Sequence, residues 1–437
     1  MKYKMHKTKF KQTEIGMIPE EWEVGQLGNL CEITSSKRIF LKEYVSNGIP
    51  FYRSKEIILL ANNQIISDTL FISKERFEEI SNKFGSPKEG DLLMTSVGTL
   101  GVPYIVKKNE TFYFKDGNLM WFRSFKPKLK NKFLYYWIKS PIGQQQLDFI
   151  SIGSTQRALT IDSVKRMKIS FPKIGEQEFI AKILSDLDSK IELNQQMNKT
   201  LEEIGKAIFK HWFVDFEFPN EEGKPYKSSG GETVYNEELG KEIPKGWRVG
   251  NYGDFLKFEK GIEPGAKEYS NGSGHDKIPF YRVADLATGM TNVFVKESVA
   301  KKIANEEDIL VSFDGTPGRV AFGIKGSFSS GIRKVYDENN LFSNSFIFFF
   351  MKSDFVQRTI EIYSKGTTIL HAGDAIAHLH AAIPDNKILK KFSELINHIF
   401  YSMVHNTKHL TTLSQIRDAL LPKLMSGKIR VPLEGKE

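Results

Sequence analysis

Apolar residues recur at alternating spacings of three and four in two long stretches of the chain, as in the heptads of a coiled coil. A proline precedes each stretch, which is typical of the start of a helix. Equivalent positions in the two stretches lie 212 residues apart, as Leu184 and Ile396 do. The pattern predicts two long helices whose shared seam is formed by Leu184, Leu187, Ile191, Asn194, Asn198, Leu201, Ile208, Ile396, Ile399, Met403, Asn406, Leu410, Leu413 and Leu420.

Asparagine interrupts the apolar seam near the middle of both predicted helices, at Asn194 and Asn198 in the first and at Asn406 in the second. Polar residues in the core of a coiled coil lower its stability but fix the register and orientation of its helices. We therefore expect an antiparallel pair in which Asn198 and Asn406 meet in one layer. The alternative is two separate amphipathic helices, each packed on its own domain.

The segments that precede the two helices repeat one another. Short blocks recur in the same order, at offsets between 212 and 229 residues because insertions and deletions separate them. Most residues between the blocks differ, which favours two domains that share a scaffold but recognise different ligands. A duplication without distinct specificities is the alternative. The paired blocks begin at Ile18 and Ile243, Ile49 and Ile278, Gly90 and Glu307, Gly153 and Gly366, and Phe171 and Ile383.

These patterns predict an α+β protein with a pseudo-twofold internal repeat. Each α/β recognition domain should combine a twisted or partly barrel-like sheet with short helices, and the long helices should form an antiparallel coiled coil. The apolar run from Phe346 to Met351 fits a buried strand or a short helix. The expected division is a first recognition domain at 1–172, a first helical spacer at 173–216, a linker with the second recognition domain at 217–383, and a second helical spacer with the C-terminal tail at 384–437.

Composition restricts the possible functions only moderately. The formal net charge of +9 suits a polyanionic partner but is modest for a nucleic-acid-binding protein of 437 residues. The single cysteine, Cys31, excludes an internal disulfide framework and a cysteine-based zinc site. No apolar stretch approaches the length of a membrane-spanning helix. A cytoplasmic protein is therefore expected.

The repeated blocks resemble the specificity subunit of type I restriction-modification enzymes over nearly the whole chain. The resemblance depends on the doubled Ile-Pro-x-x-Trp openings and on Gly-Asp-Leu-Leu-Met-Thr-Ser-Val-Gly-Thr-Leu-Gly from Gly90. It also depends on Leu-Tyr-Tyr-Trp from Leu134, Gly-Ser-Thr from Gly153, Gly-Glu-Gln-Glu-Phe-Ile-Ala-Lys-Ile-Leu from Gly175 and Leu-Leu-Pro-Lys-Leu-Met-Ser-Gly-Lys from Leu420. The second copy departs from the pattern, since its helix lacks the Gln-Glu element and Ile-Leu-His replaces Gln-Arg-Ala after the Gly-Thr-Thr block.

This resemblance implies a non-catalytic subunit with two target-recognition domains and two helical spacers, which binds double-stranded DNA. It implies assembly with two methyltransferase subunits and with restriction subunits that act as nuclease and translocase. Exposed apolar positions on the helical pair make that pair the expected docking site of the methyltransferases. No cofactor is expected on this chain, because the methyl donor S-adenosylmethionine is expected on the methyltransferase subunits.

Catalytic motifs do not occur in the sequence. A DNA methyltransferase needs an Asn-Pro-Pro-Tyr type loop and a glycine-rich turn for the methyl donor, and the chain has neither. The glycine-rich segment from Gly98 to Gly101 lacks the helix and lysine of a phosphate-binding loop, so it predicts a turn between strands. His371, His378 and His380 have no Asp, Glu or Cys at a spacing that would complete a metal site. They are therefore expected to be ordinary surface or core histidines.

Basic, hydroxyl and amide side chains in predicted loops remain as candidates for contacts with phosphates and base edges. An ordinary solvated or capping role is the alternative for each of them. Tyr52 and Tyr281 have two possible roles, contact with DNA or packing in the core. The candidates of the first domain are Arg53, Ser54, Lys55, Thr95, Ser96, Thr99, Lys115, Asn118, Ser154, Thr155, Gln156 and Arg157. Those of the second are Arg282, Ser312, Asp314, Thr316, Arg319, Arg333, Lys334, Thr367 and Thr368.

The sequence therefore predicts a DNA sequence-specificity subunit that binds an asymmetric bipartite site, one half-site per recognition domain, and positions its methyltransferase and restriction partners. A spacer helix of about 35 residues would span roughly 50 Å, or about 15 base pairs of B-DNA. Two alternatives remain open, a structural coiled-coil adaptor that binds no DNA and the recognition part of a fused methyltransferase-nuclease.

Overall fold

The computed structural model describes residues 8–153, 157–272, 274–367 and 369–431, which group into two compact units. The first unit holds the residues up to Glu192 together with those from Leu413 onwards, and the second spans Leu193–Thr412. Each unit therefore combines one set of strands with halves of both long helices. Among the described residues, no helix is both long and apolar enough to cross a membrane.

The strands of the first unit form two four-stranded sheets and two antiparallel pairs. They are β1 (Phe10–Thr13), β2 (Gly16–Pro19), β3 (Glu23–Gln26), β4 (Glu32–Thr34), β5 (Tyr44–Val45), β6 (Ile49–Tyr52), β7 (Leu70–Ile72), β8 (Leu92–Thr95), β9 (Pro103–Ile105), β10 (Tyr113–Phe114), β11 (Leu119–Arg123) and β12 (Lys168–Phe171). One sheet has the order β4-β11-β8-β9 and the other β10-β6-β7-β5, while β1 pairs with β2 and β12 with β3.

Helices pack against both of these sheets and complete the apolar clusters of the first unit. They are α1 (Ser54–Ala61), α2 (Lys74–Phe84), α3 (Asn131–Lys139), α4 (Pro141–Ile150), α5 (Ile161–Arg166) and the first half of α6 (Ile174–Phe213). The apolar face of α3 is buried through Phe133, Leu134 and Trp137. The Ser140 side chain caps α4 by accepting from Gly143 N–H at 3.2 Å, and a proline follows at the first helical position.

The second unit repeats this strand arrangement with additions. Its strands are β13 (Thr233–Asn236), β14 (Lys241–Pro244), β15 (Arg248–Asn251), β16 (Lys257–Lys260), β17 (Ser270–Asn271), β18 (Lys277–Tyr281), β19 (Val293–Lys296), β20 (Ile303–Ala304), β21 (Ile309–Ser312), β22 (Asp314–Gly315), β23 (Val320–Ala321), β24 (Gly326–Phe328), β25 (Ile332–Tyr336), β26 (Leu370–His371) and β27 (His380–Ile383). The sheet β16-β25-β21-β23 matches β4-β11-β8-β9, and β17-β19-β18-β24 matches β5-β7-β6-β10 with β20 added at the edge.

The helices of the second unit surround an aromatic core. They are α7 (Asn344–Met351), α8 (Asp354–Ile362), the second half of α6 and the first part of α9 (Asn386–Met425). The apolar run from Phe346 to Met351 is a helix rather than a strand, because Ser343 caps it and its side chains are buried all round. Gly205 allows α7 to approach α6 closely, since a Cβ at this position would lie 2.0 Å from Phe349.

The two units differ mainly between the matched strands. The α1 helix of the first unit is replaced in the second by the 3-10 turn Val283–Ala287, and α5 is replaced by the 3-10 turn Gly373–His378. The α2 segment has no helical counterpart, since β19 is followed by the short 3-10 turn Glu297–Val299 and by β20. A shared scaffold thus carries different connections, as the repeated sequence blocks predict.

The helices α6 and α9 run antiparallel, which confirms the predicted orientation. In the first unit, Asp188 near the start of α6 accepts a hydrogen bond of 3.0 Å from Arg417 near the end of α9. In the second unit, Trp212 near the end of α6 packs on Phe392 near the start of α9, with ring centroids 5.5 Å apart. None of the predicted seam residues is exposed; all are buried or half-buried.

A layer of amide side chains lies in the middle of the helical pair, within the second unit. Asn406 Nδ2 donates to Asn198 Oδ1 at 2.9 Å, as predicted, and Asn198 Nδ2 donates to Thr407 Oγ1 at 3.0 Å and to Met403 C=O at 3.2 Å. Asn406 is 9% exposed, so its amide depends on these protein contacts rather than on water. The layer therefore holds the two helices in one alignment.

Replacing Asn198 with leucine is expected to lower the free energy of unfolding by about 1–3 kcal/mol, because the buried Asn406 amide loses its acceptor. Replacing both asparagines with leucine should recover most of that loss, since an apolar pair leaves no unsatisfied group. Chemical denaturation of the two single variants and the double variant measures the coupling. A double variant whose loss equals the sum of the single losses contradicts the amide layer.

Candidate nucleic-acid interface

Three segments of the first recognition domain meet around the carbonyl group of Asn118. This carbonyl accepts the Ser96 N–H at 2.9 Å and the Ser54 hydroxyl at 3.2 Å. Lys115 N–H donates to the Tyr52 carbonyl at 2.8 Å. The segment from the end of β6 to the start of α1, the turn after β10 and the loop after β8 are thus joined in the first domain.

Arg53 at the start of α1 is held by Glu56. Its Nη2 and Nε lie 2.6 and 3.2 Å from the Glu56 carboxylate, and its backbone N–H donates to the same carboxylate at 2.7 Å. Burial opposes ionisation of Glu56, but hydrogen bonds from the Arg53 side chain and backbone outweigh it and lower the pKa of Glu56. Arg53 is therefore fixed in direction, with part of its guanidinium already occupied.

The other candidates of the first domain divide by exposure. Thr95 and Ser96 are buried; Thr95 Oγ1 accepts from Val102 N–H at 3.0 Å and Ser96 donates to the Gly117 carbonyl at 3.2 Å, so both support the loop from inside. Arg157 donates to Asp148 Oδ1 at 2.9 Å on the surface. Lys55, Thr99 and Lys115 are exposed, whereas Ser54 and Asn118 are half-buried.

Two candidates of the second domain, Arg282 and Ser312, lie at places equivalent to those of Arg53 and Thr95. Arg282 precedes the 3-10 turn that replaces α1, and its backbone N–H donates to Asp285 at 2.8 Å as the Arg53 N–H does to Glu56. Ser312 is buried like Thr95 and accepts from Arg319 N–H at 3.0 Å. Thr316 and Thr367 are exposed, and Arg319 is half-buried.

Arg333 and Lys334 are adjacent on β25 but have different partners. Lys334 Nζ lies 3.5 Å from Glu259 and 3.8 Å from Asp308, so its charge is compensated within the domain. Arg333 lies over the ring of Phe313, with Cζ 5.0 Å from the ring centroid, and forms no ion pair among the described residues. Of the two cations, Arg333 is the one with donors available for a ligand.

His371 is a residue of this region that the sequence candidates did not include. Its Nδ1 lies 2.7 Å from Asp314 Oδ1, across the short pair of strands β22 and β26. In the alignment of the two repeats, His371 is equivalent to Ala158. This difference between the copies is the feature of the sequence that could have identified His371 as a candidate. Ser154, Thr155, Gln156 and Thr368 lie outside the described residues.

The two tyrosines differ in burial. Tyr281 is 8% exposed and belongs to the apolar core of its sheet. Tyr52 is half-buried against Phe112, with ring centroids 4.8 Å apart, and burial raises the pKa of its phenol. Core packing therefore accounts for both side chains. Among the described residues, no group of three or more His, Cys, Asp or Glu is arranged to hold a metal ion.

Comparison with known proteins identifies the family. A sequence model described as "Type I restriction modification DNA specificity domain" matches residues 19–203 and 244–419, one segment for each copy of the repeat. The chain belongs to this family. It is a DNA sequence-specificity subunit of a type I restriction-modification system, as the doubled blocks predicted.

Relatives of this specificity subunit match over most of its length. The chain is 33% identical to the type I restriction enzyme MjaIX specificity subunit of Methanocaldococcus jannaschii over 97% of both chains. It is 25% identical to the HindI specificity subunit of Haemophilus influenzae over 64% of this chain and 72% of that protein. Its fold is similar to that of the type I restriction-modification S subunit from M. genitalium, with a TM-score of 0.57, 16% identity and coverage of 92% of this chain and 96% of that one.

Proposed function

We propose that this specificity subunit binds an asymmetric bipartite DNA site, with one half-site for each recognition domain. The observation that carries the proposal is the shared strand order of the two domains combined with different connections between the matched strands. A common scaffold with different loops is what recognition of two different sequences requires.

The subunit itself is proposed to catalyse nothing and to position partners. Two methyltransferase subunits, which carry the methyl donor, would add helices to the α6 and α9 pair, and restriction subunits would complete the complex. Exposed Leu193, Met197 and Tyr401 on this pair, 48%, 44% and 43% exposed, support such packing. Because its ligand is cellular DNA, we place the complex in the cytoplasm.

The proposed direct contacts are the exposed and half-buried polar residues at the joined edges of the domains. Thr95, Ser96 and Ser312 act indirectly, since they are buried and hold the loops. Lys334 contributes to the fold through its two carboxylate partners. The remaining proposed contacts are Arg53, Ser54, Lys55, Thr99, Lys115, Asn118 and Arg157 in the first domain and Arg282, Asp314, Thr316, Arg319, Arg333 and Thr367 in the second.

Exchange of residues 1–172 for the first recognition domain of a related subunit is expected to change one half-site and leave the other intact. The measurement is genome-wide mapping of methylated bases in cells that express the exchanged subunit with the methyltransferase. The same mapping without the subunit is the control and should show no such motif. A simultaneous change in both half-sites would contradict one-domain-one-half-site recognition.

Salt dependence separates this function from that of an adaptor without DNA. Binding of the purified chain to random duplex should weaken steeply with added salt, because cations on the domains displace counterions from the phosphates. An adaptor that uses no DNA should show neither the binding nor the slope.

A further inference from the structure

A backbone bridge in the first domain joins the loop after β8 to the segment after α4. Val97 pairs with Ala158, and Ala158 exchanges two backbone hydrogen bonds of 2.9 Å with Ile152. The next residue, Leu159, donates its N–H to the Ser96 carbonyl at 2.8 Å. The three bridge side chains are apolar, and Ile152 is 56% exposed. This bridge presents a surface that cannot form side-chain hydrogen bonds.

The same bridge in the second domain carries titratable side chains. Asp314 pairs with His371, and His371 exchanges backbone hydrogen bonds of 2.8 and 2.9 Å with Lys365. The next residue, Ala372, donates its N–H to the Phe313 carbonyl at 2.8 Å. The matching hydrogen bonds make the two bridges equivalent residue by residue.

A further charged residue lies beside the second bridge where the first domain has an apolar one. Arg333 pairs with Val311 and Met120 pairs with Met94, each at the next-to-last step of its ladder. Arg333 and Met120 are therefore equivalent. Met120 is 2% exposed in the core, whereas the guanidinium of Arg333 lies over the ring of Phe313 and is half-buried.

The described surroundings of Arg333 hold its guanidinium in place but provide no acceptors for its N–H groups. A Cβ at Gly373 would lie 2.8 Å from Arg333 Nη2, so the glycine provides the space that the side chain needs. Burial lowers the pKa of Arg333, and the charge of Asp314 opposes this only in part. In the described part of the chain the guanidinium donates no hydrogen bond to a protein acceptor. An acceptor from outside the protein would provide the missing hydrogen bonds of the guanidinium.

His371 and its neighbours form the rest of this charged cluster. His371 is 63% exposed at the side chain and is oriented by Asp314 through Nδ1, which directs Nε2 away from that carboxylate. Lys365, across the bridge, is paired with Asp374 at 3.0 Å. The cluster thus combines an oriented imidazole, a carboxylate and an incompletely satisfied guanidinium.

We propose that Arg333 and Asp314, the latter held by its contact with His371, recognise a G·C base pair within the half-site of the second domain. This inference rests on the proposed bipartite recognition. Guanine presents two acceptors, N7 and O6, to a guanidinium, and the cytosine amino group donates to a carboxylate. The equivalent Val97, Met120 and Ala158 form neither contact. The described residues of the first domain therefore include no counterpart of this charged cluster.

The test compares binding of the full-length chain, assembled with its methyltransferase, to two duplexes. One carries the methylated motif mapped for the wild-type complex, and the other has one G·C pair of the second half-site replaced by A·T, each such pair being tested in turn. At one pair, the wild type should prefer the native duplex by roughly tenfold or more. Arg333→Met introduces the residue found at the equivalent position, Met120, of the first domain. This variant should reduce the preference to less than about twofold.

Arg333→Lys and Lys257→Met serve as companion variants. Arg333→Lys keeps the charge and a similar volume but loses the bidentate fork, so it should lose the preference while its melting temperature stays near that of the wild type. Lys257 is an exposed cation on the neighbouring strand β16, and its replacement should leave the preference intact.

Two results would overturn the inference while leaving the proposed function intact. One is a second half-site without a G·C pair. The other is an unchanged preference in both Arg333 variants. Absence of any sequence-selective binding by the wild-type complex would instead overturn the proposed function, and the inference with it.

Discussion

Replacing Arg430 with alanine is expected to lower the free energy of unfolding of the first unit by about 3–5 kcal/mol, because the change leaves a buried carboxylate without its counter-ion. Arg430 donates to both oxygens of Glu176, at 2.7 and 2.8 Å, and to Glu21 at 2.8 Å. The Glu176 side chain is only 3% exposed, so its charge is compensated mainly by the guanidinium. These contacts raise the pKa of Arg430, which stays charged throughout the accessible pH range.

Chemical denaturation of the full chain measures this loss. Lys428→Ala is the matched control, since it removes an exposed cation from the same segment and should change stability by less than about 0.5 kcal/mol. The double variant Arg430→Ala with Glu176→Gln should be more stable than Arg430→Ala alone, because it removes the isolated buried charge. Equal stability of Arg430→Ala and Lys428→Ala contradicts this assignment.

Replacing Phe392 with alanine is expected to lower the free energy of unfolding of the second unit by about 3–5 kcal/mol, through lost apolar burial and the cavity left behind. Phe392 is fully buried at the start of α9. Its ring lies 4.7 Å from Phe213, 5.5 Å from Trp212 and 5.9 Å from Phe209, centroid to centroid. The ring therefore joins both long helices to the aromatic core.

Phe355→Ala is the matched control for Phe392→Ala. Phe355 is 39% exposed on α8, so its truncation removes the same atoms from a partly solvated place and should cost far less. Urea unfolding of both variants, followed by tryptophan fluorescence, measures the difference. Similar losses in the two variants would show that Phe392 is not central to this core.

The periodic parts of the structure were predictable because periodicity is a local property. Heptad spacing predicted the two helices, and the central asparagines predicted that Asn198 and Asn406 meet, which the 2.9 Å hydrogen bond confirms. The repeated blocks predicted two similar domains and the family, without any knowledge of which strands pair. The glycine-rich segment after β8 likewise forms the predicted turn, leading into the antiparallel strand β9.

Side-chain direction within the recognition domains could not be predicted in the same way. Nothing in the sequence distinguished Thr95 and Ser312 from exposed hydroxyl residues, but both side chains are buried in the structure. Arg333 and Lys334 are neighbours, but the pleat of the strand places their side chains on opposite faces of the sheet. Lys334 contacts two carboxylates, whereas Arg333 lies in the charged cluster beside the second bridge. The candidate residues therefore stay proposals whose roles depend on this geometry.

The amino-acid sequence by itself determined that the protein has a doubled scaffold and two long helices, since both follow from spacing along the chain, and the central asparagines favoured an antiparallel pair. Only the tertiary structure decided that Arg430 neutralises Glu176 and that His371 meets Asp314, since these pairs are 254 and 57 residues apart. Charges so distant in sequence are brought together by the packing of the whole unit, and no local pattern records that packing.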